Sequence, residues 1–166
     1  MRACIAIIDS TRARICEYDE RNAAGHELHE IFDMLNPGRR HIAEVFEDTE
    51  SGERIGGGNS AGVGTHQQAT DDHRQQFVNT RDEKFAREVV AQIDRIVREG
   101  AFPHLVLIAS PHMLGEIRKH AAVLERDGLK LDEYDRDLGG MNDAQVHDHL
   151  AHAGIVAPRR RIAAAR

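Results

Sequence analysis

The tightest constraint on this chain is one short segment: Leu105-Val106-Leu107-Ile108-Ala109 is apolar at every position. A strand turns successive side chains to opposite faces, so a strand apolar on both must lie inside a sheet covered from both sides. Ser110 and Pro111 follow at once, the residue types of a helix N-cap and first helical position. Leu114, Ile117, Ala121 and Leu124 continue at helical spacing and predict a helix reaching Gly128. A strand feeding directly into a helix is half of an α/β unit, and at 166 residues the chain has room for one such domain.

The flanking segments fill in that domain. Cys4-Ile5-Ala6-Ile7-Ile8 reads as a buried strand ended by the turn Asp9-Ser10-Thr11, and the alternation from Ala13 to Tyr18 predicts an antiparallel return. Leu28, Ile31, Phe32 and Leu35 suggest a third strand over 26–35, stopped by Asn36-Pro37-Gly38. Thr80-Arg81-Asp82-Glu83 has capping-box spacing, and Phe85, Ala86, Val89, Val90, Ile93, Ile96 and Val97 form one apolar helical stripe closed by Gly100. Leu129, Leu131 and Tyr134 mark another strand, and Asn142-Asp143-Ala144-Gln145 caps a last helix ending near Gly154. The expectation is a single α/β domain over 1–154. Its mixed sheet begins with an antiparallel meander and is covered by helices. A long mobile loop is expected at about 39–79, and a basic tail at 155–166.

Charge and composition exclude several functions. With 22 basic and 28 acidic residues the formal net charge is −6, so any contact with nucleic acid must be local. Aromatic residues are 4% and Trp is absent, which removes a broad base-stacking face. Cys4 and Cys16 read as small buried hydrophobes, the sharper alternative being a cross-strand disulfide. The amino terminus is too short in apolar residues for a signal-peptide core, and no run approaches the ~20 residues that span a bilayer. A cytoplasmic protein without membrane insertion is expected.

Chemical motifs are weighed against plainer readings. Gly58-Asn59-Ser60-Ala61-Gly62 matches G-x-S-x-G, but it lacks the strand before and helix after that expose a nucleophilic serine. No Walker A sequence is present, nor a G-x-G-x-x-G after a strand, and no cofactor is expected. Of 11 histidines, His147, His149 and His152 crowd the last helix. Only the latter two share a face, so solvated histidines are expected there and no metal site. His66 and His73 fall in the loop and identify no reaction. A two-metal polynucleotidyl transferase would use Asp9, but the central strand ends without an acid, leaving Asp82 or Glu88 to complete the set. Asp9 as an acceptor for its own turn is the plainer reading. Ligands of open α/β sheets bind beyond the carboxyl ends of strands where the strand order switches. Asp9, Arg12, Ser110, Pro111 and His112 should gather there, with Ser110 as an anion-binding cap or simply a cap.

The stretches Ile8-Asp9-Ser10-Thr11-Arg12-Ala13-Arg14-Ile15, Leu35-Asn36-Pro37 and Phe85-Ala86-Arg87-Glu88, then Leu105 to Arg118 and Asp137-Leu138, resemble the host attachment protein family in order and spacing. That family is similar to the middle domain of archaeal and eukaryotic class I peptide release factors, a ribonuclease H-like α/β fold. The resemblance implies that fold here. It also implies a counterpart of the release-factor Gly-Gly-Gln loop at Gly56-Gly57-Gly58-Asn59-Ser60, where Asn59 stands in place of the glutamine and argues against peptidyl-tRNA hydrolysis.

Three functions follow from these readings. The first is a non-catalytic intracellular binding module that contacts ribosome or RNA and acts indirectly in attachment. Arg12, Arg14, Arg118 and the tail arginines would make the contact, with Gly57, Gly58, Asn59 and Ser60 in the docking loop. The second is a hydrolase of tRNA esters or nucleic acid using Asp9 or the glycine loop. The third is an attachment-related partner of another protein with no nucleic-acid contact. The plain alternative for the arginines is solvation of Arg12 and Arg14, and pairing of Arg118 with Asp137 or with neighbours of Glu116.

Overall fold

In the computed structural model, Leu105 to Ala109 are all buried, in a strand with a neighbour on either side. The model describes residues 1–21, 28–38 and 66–159, with side chains in the long helix described from 79 onward. Strands β1 (Arg2–Ile8), β2 (Arg12–Asp19) and β3 (Leu28–Leu35) precede helix α1 (His66–Glu99). Strand β4 (His104–Ala109), helix α2 (Pro111–Arg118), a 3-10 turn (Ala121–Leu124), strand β5 (Lys130–Asp135) and helix α3 (Asp143–His152) complete the order. The sheet has 5 strands in the order β3-β2-β1-β4-β5. β1 runs antiparallel to β2 and parallel to β4, with Ile8 opposite Ala109, and β5 runs parallel to β4. This is one α/β domain with a mixed sheet.

Alternation sorts the strand residues into two apolar layers. Cys4, Ala6 and Ile8 of β1 and Leu105 and Leu107 of β4 face α1 and α2, where Phe85, Val89, Ile93, Val97, Met113 and Ile117 close over them. Ala3, Ile5, Ile7, Val106 and Ile108 point the other way, onto Val146 and Leu150 of α3 with Leu138 and Val156. Each fully buried aliphatic side chain contributes about 1.5–3 kcal/mol, so both layers are needed to hold the central strands. The second is completed by a C-terminal segment: the Ala157 amide donates to Tyr18 Oη at 3.0 Å, and His147 Nε2 donates to the Ala157 carbonyl at 2.8 Å. Arg159 pairs with Asp148, so the chain is held to the domain as far as 159, past the 155 start expected for a basic tail.

Several expectations need correction. Helix α1 begins at His66, so Thr80 to Glu83 lie within it and form no cap. Residues 66–79 contain no Gly or Pro and no apolar periodicity, so they carry neither a break nor a stripe to announce a helix. That part of the expected loop is helical, and Gly57, Gly58, Asn59 and Ser60 lie outside the described residues. Helix α2 stops at Arg118 well short of Gly128. Ala121 and Leu124 keep their buried side through the 3-10 turn, whose i and i+3 residues eclipse, so the apolar spacing was real but the helix type changed. His147 is buried, contrary to the solvated reading, whereas His149 is half-buried and His152 exposed.

Cys4 and Cys16 are free thiols on opposite faces of the sheet, because Cys16 stands opposite Ile5 and Cys4 opposite Glu17. Helix α1 ends with Phe102 N–H bonding to the Val97 carbonyl and Ala101 N–H to that of Arg98, a Schellman closure. Its left-handed residue is Ala101, at φ 47°, not the neighbouring glycine. Gly100 is required for a different reason, since a Cβ there would lie 2.3 Å from the Phe102 ring.

Two predictions follow from this arrangement. Ala101→Gly relieves a left-handed alanine and should raise stability by about 0.5–1 kcal/mol in urea unfolding. Burial pushes the thiols of Cys4 and Cys16 from 9.0 up to about 12. Above 9.0 the unfolded chain sheds thiol protons that the native chain keeps, so this contribution to stability falls as pH rises from there toward about 12. Urea midpoints at about pH 8 and about pH 10 should show a decline that is reduced in the C4A/C16A double variant.

Candidate functional site

Beyond the paired ends Ile8 and Ala109, the two central strands diverge. β1 turns toward β2 on one side, while β4 enters α2 and passes to β5 on the other. Such a switch leaves a crevice at the carboxyl ends of the strands. Asp9 and Ser110, the residues following those ends, are brought side by side by the parallel register.

Asp9 is committed to its turn. Its Oδ1 accepts from the Thr11 amide at 2.6 Å, the Thr11 hydroxyl at 2.6 Å and the Arg12 amide at 2.8 Å. Its other oxygen faces Gly139, where a Cβ would lie only 1.9 Å from Oδ2, so the turn after β5 closes on this carboxylate. Ser110 caps α2, its backbone carbonyl accepting from Leu114 at 2.9 Å and its hydroxyl from the Met113 amide at 3.5 Å, and Pro111 is the first helical residue.

The residue that organises the crevice is Asp82. It lies on α1 inside the domain, with only 1% of its side chain exposed, and its Oδ2 meets His112 Nε2 at 3.1 Å. Asn36 approaches from the end of β3. Its amide nitrogen donates to the Ser10 carbonyl at 2.8 Å and reaches Asp82 at 3.5 Å, while its own backbone N–H bonds to the Thr11 carbonyl. The β1–β2 turn, the end of β3, α1 and the start of α2 therefore share one continuous polar cluster, buried below and capped by the half-exposed His112 ring. Beside it a groove of about 310 Å³ is lined by Asn36, Gly38, Arg81, Lys84 and Glu88 among others.

The expected arginines are engaged elsewhere. Arg12 bonds to Asp33 at 2.5 Å with Glu30 nearby, and the Asp33 hydrogen bond holds its guanidinium above the ordinary value. Arg14 is buried between β2 and the start of α3. It donates to the Met141 carbonyl at 2.7 Å and pairs with Asp143 at 3.3 Å and Glu30 at 3.4 Å. Arg118 pairs with Glu133 of β5 at 2.5 Å, neither with Asp137 nor within its own helix. Asp137 accepts from the Gly139 amide at 3.2 Å and shapes that turn.

Asn36, Arg81, Lys84 and Gly139 were not legible as site residues. Asp82 carried a readable signal, since it falls three and four residues before Phe85 and Ala86 on the buried stripe, a position where a carboxylate has to find a partner. Among the described residues, no group of three or more His, Cys, Asp and Glu side chains is placed to hold a metal ion. No helix among them is long and apolar enough to cross a membrane.

The contrast between the arginines is testable. Arg14→Ala empties a buried position and leaves the Met141 carbonyl without its donor, and should cost about 1–3 kcal/mol in urea unfolding. Arg118→Ala removes only an exposed pair and should leave the midpoint unchanged within error.

A search among curated proteins finds no match to the chain. A family model described as "Protein required for attachment to host cells" matches residues 4–150, which takes in β2 to β5, α1, α2 and the polar cluster, and all but the outer ends of β1 and α3. The chain belongs to the host attachment family.

Proposed function

We propose that this family member is a non-catalytic intracellular binding module of release-factor-like, ribonuclease H-like architecture. It docks on RNA, with the ribosome as the natural large target, and its effect on attachment to host cells is indirect. The supporting observation is the polar cluster at the switch between β1 and β4. There His112 stands half-exposed over buried Asp82, next to a groove edged by Arg81 and Lys84. On a chain of net charge −6 this end of the sheet supplies the local cationic contact that phosphate binding needs. The docking set differs from the one read from the sequence. Arg14 and Arg118 are tied into ion pairs, and Lys84 and His112 take their place, beside Arg81, which donates to the Gly38 carbonyl. A non-catalytic role is favoured by Asp9, whose Oδ1 is occupied by three turn donors.

Sedimentation of a cell lysate through sucrose at low and high salt tests this. The chain should travel with ribosomal particles at low salt and move to the top of the gradient at high salt, and Lys84→Glu should shift it upward at low salt. A free pool at both salts would overturn RNA docking and leave a protein partner. Turnover of a tRNA ester that depends on Asp9 would overturn the non-catalytic role.

A further inference from the structure

Three imidazoles in the described residues are held by an acceptor at one ring nitrogen. His104 Nε2 lies 2.8 Å from Asp132, His147 Nε2 lies 2.8 Å from the Ala157 carbonyl, and His112 Nε2 lies 3.1 Å from Asp82. They differ in access. His147 is buried and the His104 side chain is 11% exposed, whereas that of His112 is 48% exposed. His112 alone of the three combines a ring held by a buried carboxylate with a half-exposed side chain.

The hydrogen bond decides the chemistry of that edge. A neutral imidazole carries one N–H and a carboxylate only accepts, so in the neutral form of the ring the contact with Asp82 places the proton on Nε2 and the lone pair on Nδ1. In a side chain 48% exposed this is the arrangement of an activated nitrogen nucleophile: a lone pair on Nδ1, and at Nε2 a carboxylate that stabilises positive charge developing on the ring. The ring also belongs to the first turn of α2, after a proline that has no N–H and before the first intrahelical bond, from Leu114 to Ser110. The partial positive charge of that turn favours an anionic group on Nδ1. The other candidate nucleophiles, Cys4 and Cys16, are buried with thiols pushed up to about 12, which leaves them inert.

We propose that His112 is a phosphoryl-acceptor site, modified at Nδ1 by small phosphoryl donors of the phosphoramidate or acyl phosphate class. In the step the Nδ1 lone pair forms the N–P bond as the donor's bond to phosphorus breaks. In the neutral ring no proton has to leave Nδ1 for this step. A zwitterionic phosphoramidate releases ammonia, an acyl phosphate releases its carboxylate, and the Nε2 proton stays on the ring, hydrogen-bonded to Asp82. The assignment is independent of RNA docking, since it uses only the ring, its carboxylate and the helix start.

The test treats the full chain with phosphoramidate at neutral pH. Peptide mass spectrometry follows the rate at each histidine, and phosphorus NMR distinguishes the two ring nitrogens. His112 should be modified ahead of exposed His152, on Nδ1. Asp82→Asn should slow His112 about tenfold while His152 keeps its rate, the loss typical of removing a carboxylate behind a working imidazole. His152 is the internal reference, because a variant that merely unfolds would bring both histidines to one common rate. Modification of His112 no faster than His152, or on Nε2, in the unsubstituted chain would overturn the proposal without recourse to any variant. So would an Asp82→Asn chain that stays folded and reacts at the original rate.

Discussion

Everything in this molecule depends on the parallel contact between β1 and β4. Both strands are buried along nearly their whole length and apolar on both faces, so neither tolerates solvent on either side. One helical layer cannot satisfy that. Helices α1 and α2 close one face, and α3 with the segment through Val156 closes the other. The polar devices at the margins serve this closure. Buried Arg14 ties α3 to β2, and Tyr18 and His147 hold Ala157 in place. Of the basic residues that look like a binding set in the sequence, Arg14 fastens the second layer, Arg118 ties α2 to β5 and Arg12 pairs with carboxylates of β3.

The same contact creates the crevice. Because β1 returns through an antiparallel hairpin while β4 continues through a helix to the opposite side, their chains part beyond Ile8 and Ala109. Backbone groups exposed by the parting need partners. Asp9 supplies them for the β1–β2 turn, Ser110 for the start of α2, and Asn36 bridges from β3 to both the turn and Asp82. A fully buried carboxylate is expensive unless something compensates it, and the presence of His112 above Asp82 follows from that need. The result is a buried polar floor beneath the half-exposed His112 imidazole, with Arg81, Lys84 and Glu88 along the adjoining groove.

Membership of the host attachment family and the α/β architecture rest on different grounds and agree. Family membership carries a biological setting but no chemistry. The chemistry comes from the crevice, and it is compatible with a protein that acts by holding a partner. Neither ground depends on the glycine-rich stretch around Asn59.

Reading from residues alone was most successful where side-chain period and local hydrogen bonding decide the outcome. The hairpin, the interior position of 105–109, the Ser110-Pro111 cap, the capping box at Asn142 and the burial of the cysteines are all local consequences of residue type and spacing. Helix length failed where local signals were silent: 66–79 has only Ala69, Phe77 and Val78 as apolar residues and no stripe, and the pattern beyond Arg118 fits an α-helix and a 3-10 turn equally well. Which charges meet was beyond the sequence altogether. Arg14 finds Asp143 and Arg118 finds Glu133 only once helices are laid on the sheet, and Asp82 acquires His112 only when α1 and α2 pack side by side. The sequence by itself determined the elements and their buried faces, because those follow from short-range periodicity. Tertiary structure alone decided the ion pairs and the crevice, because long-range partners are set by how layers stack.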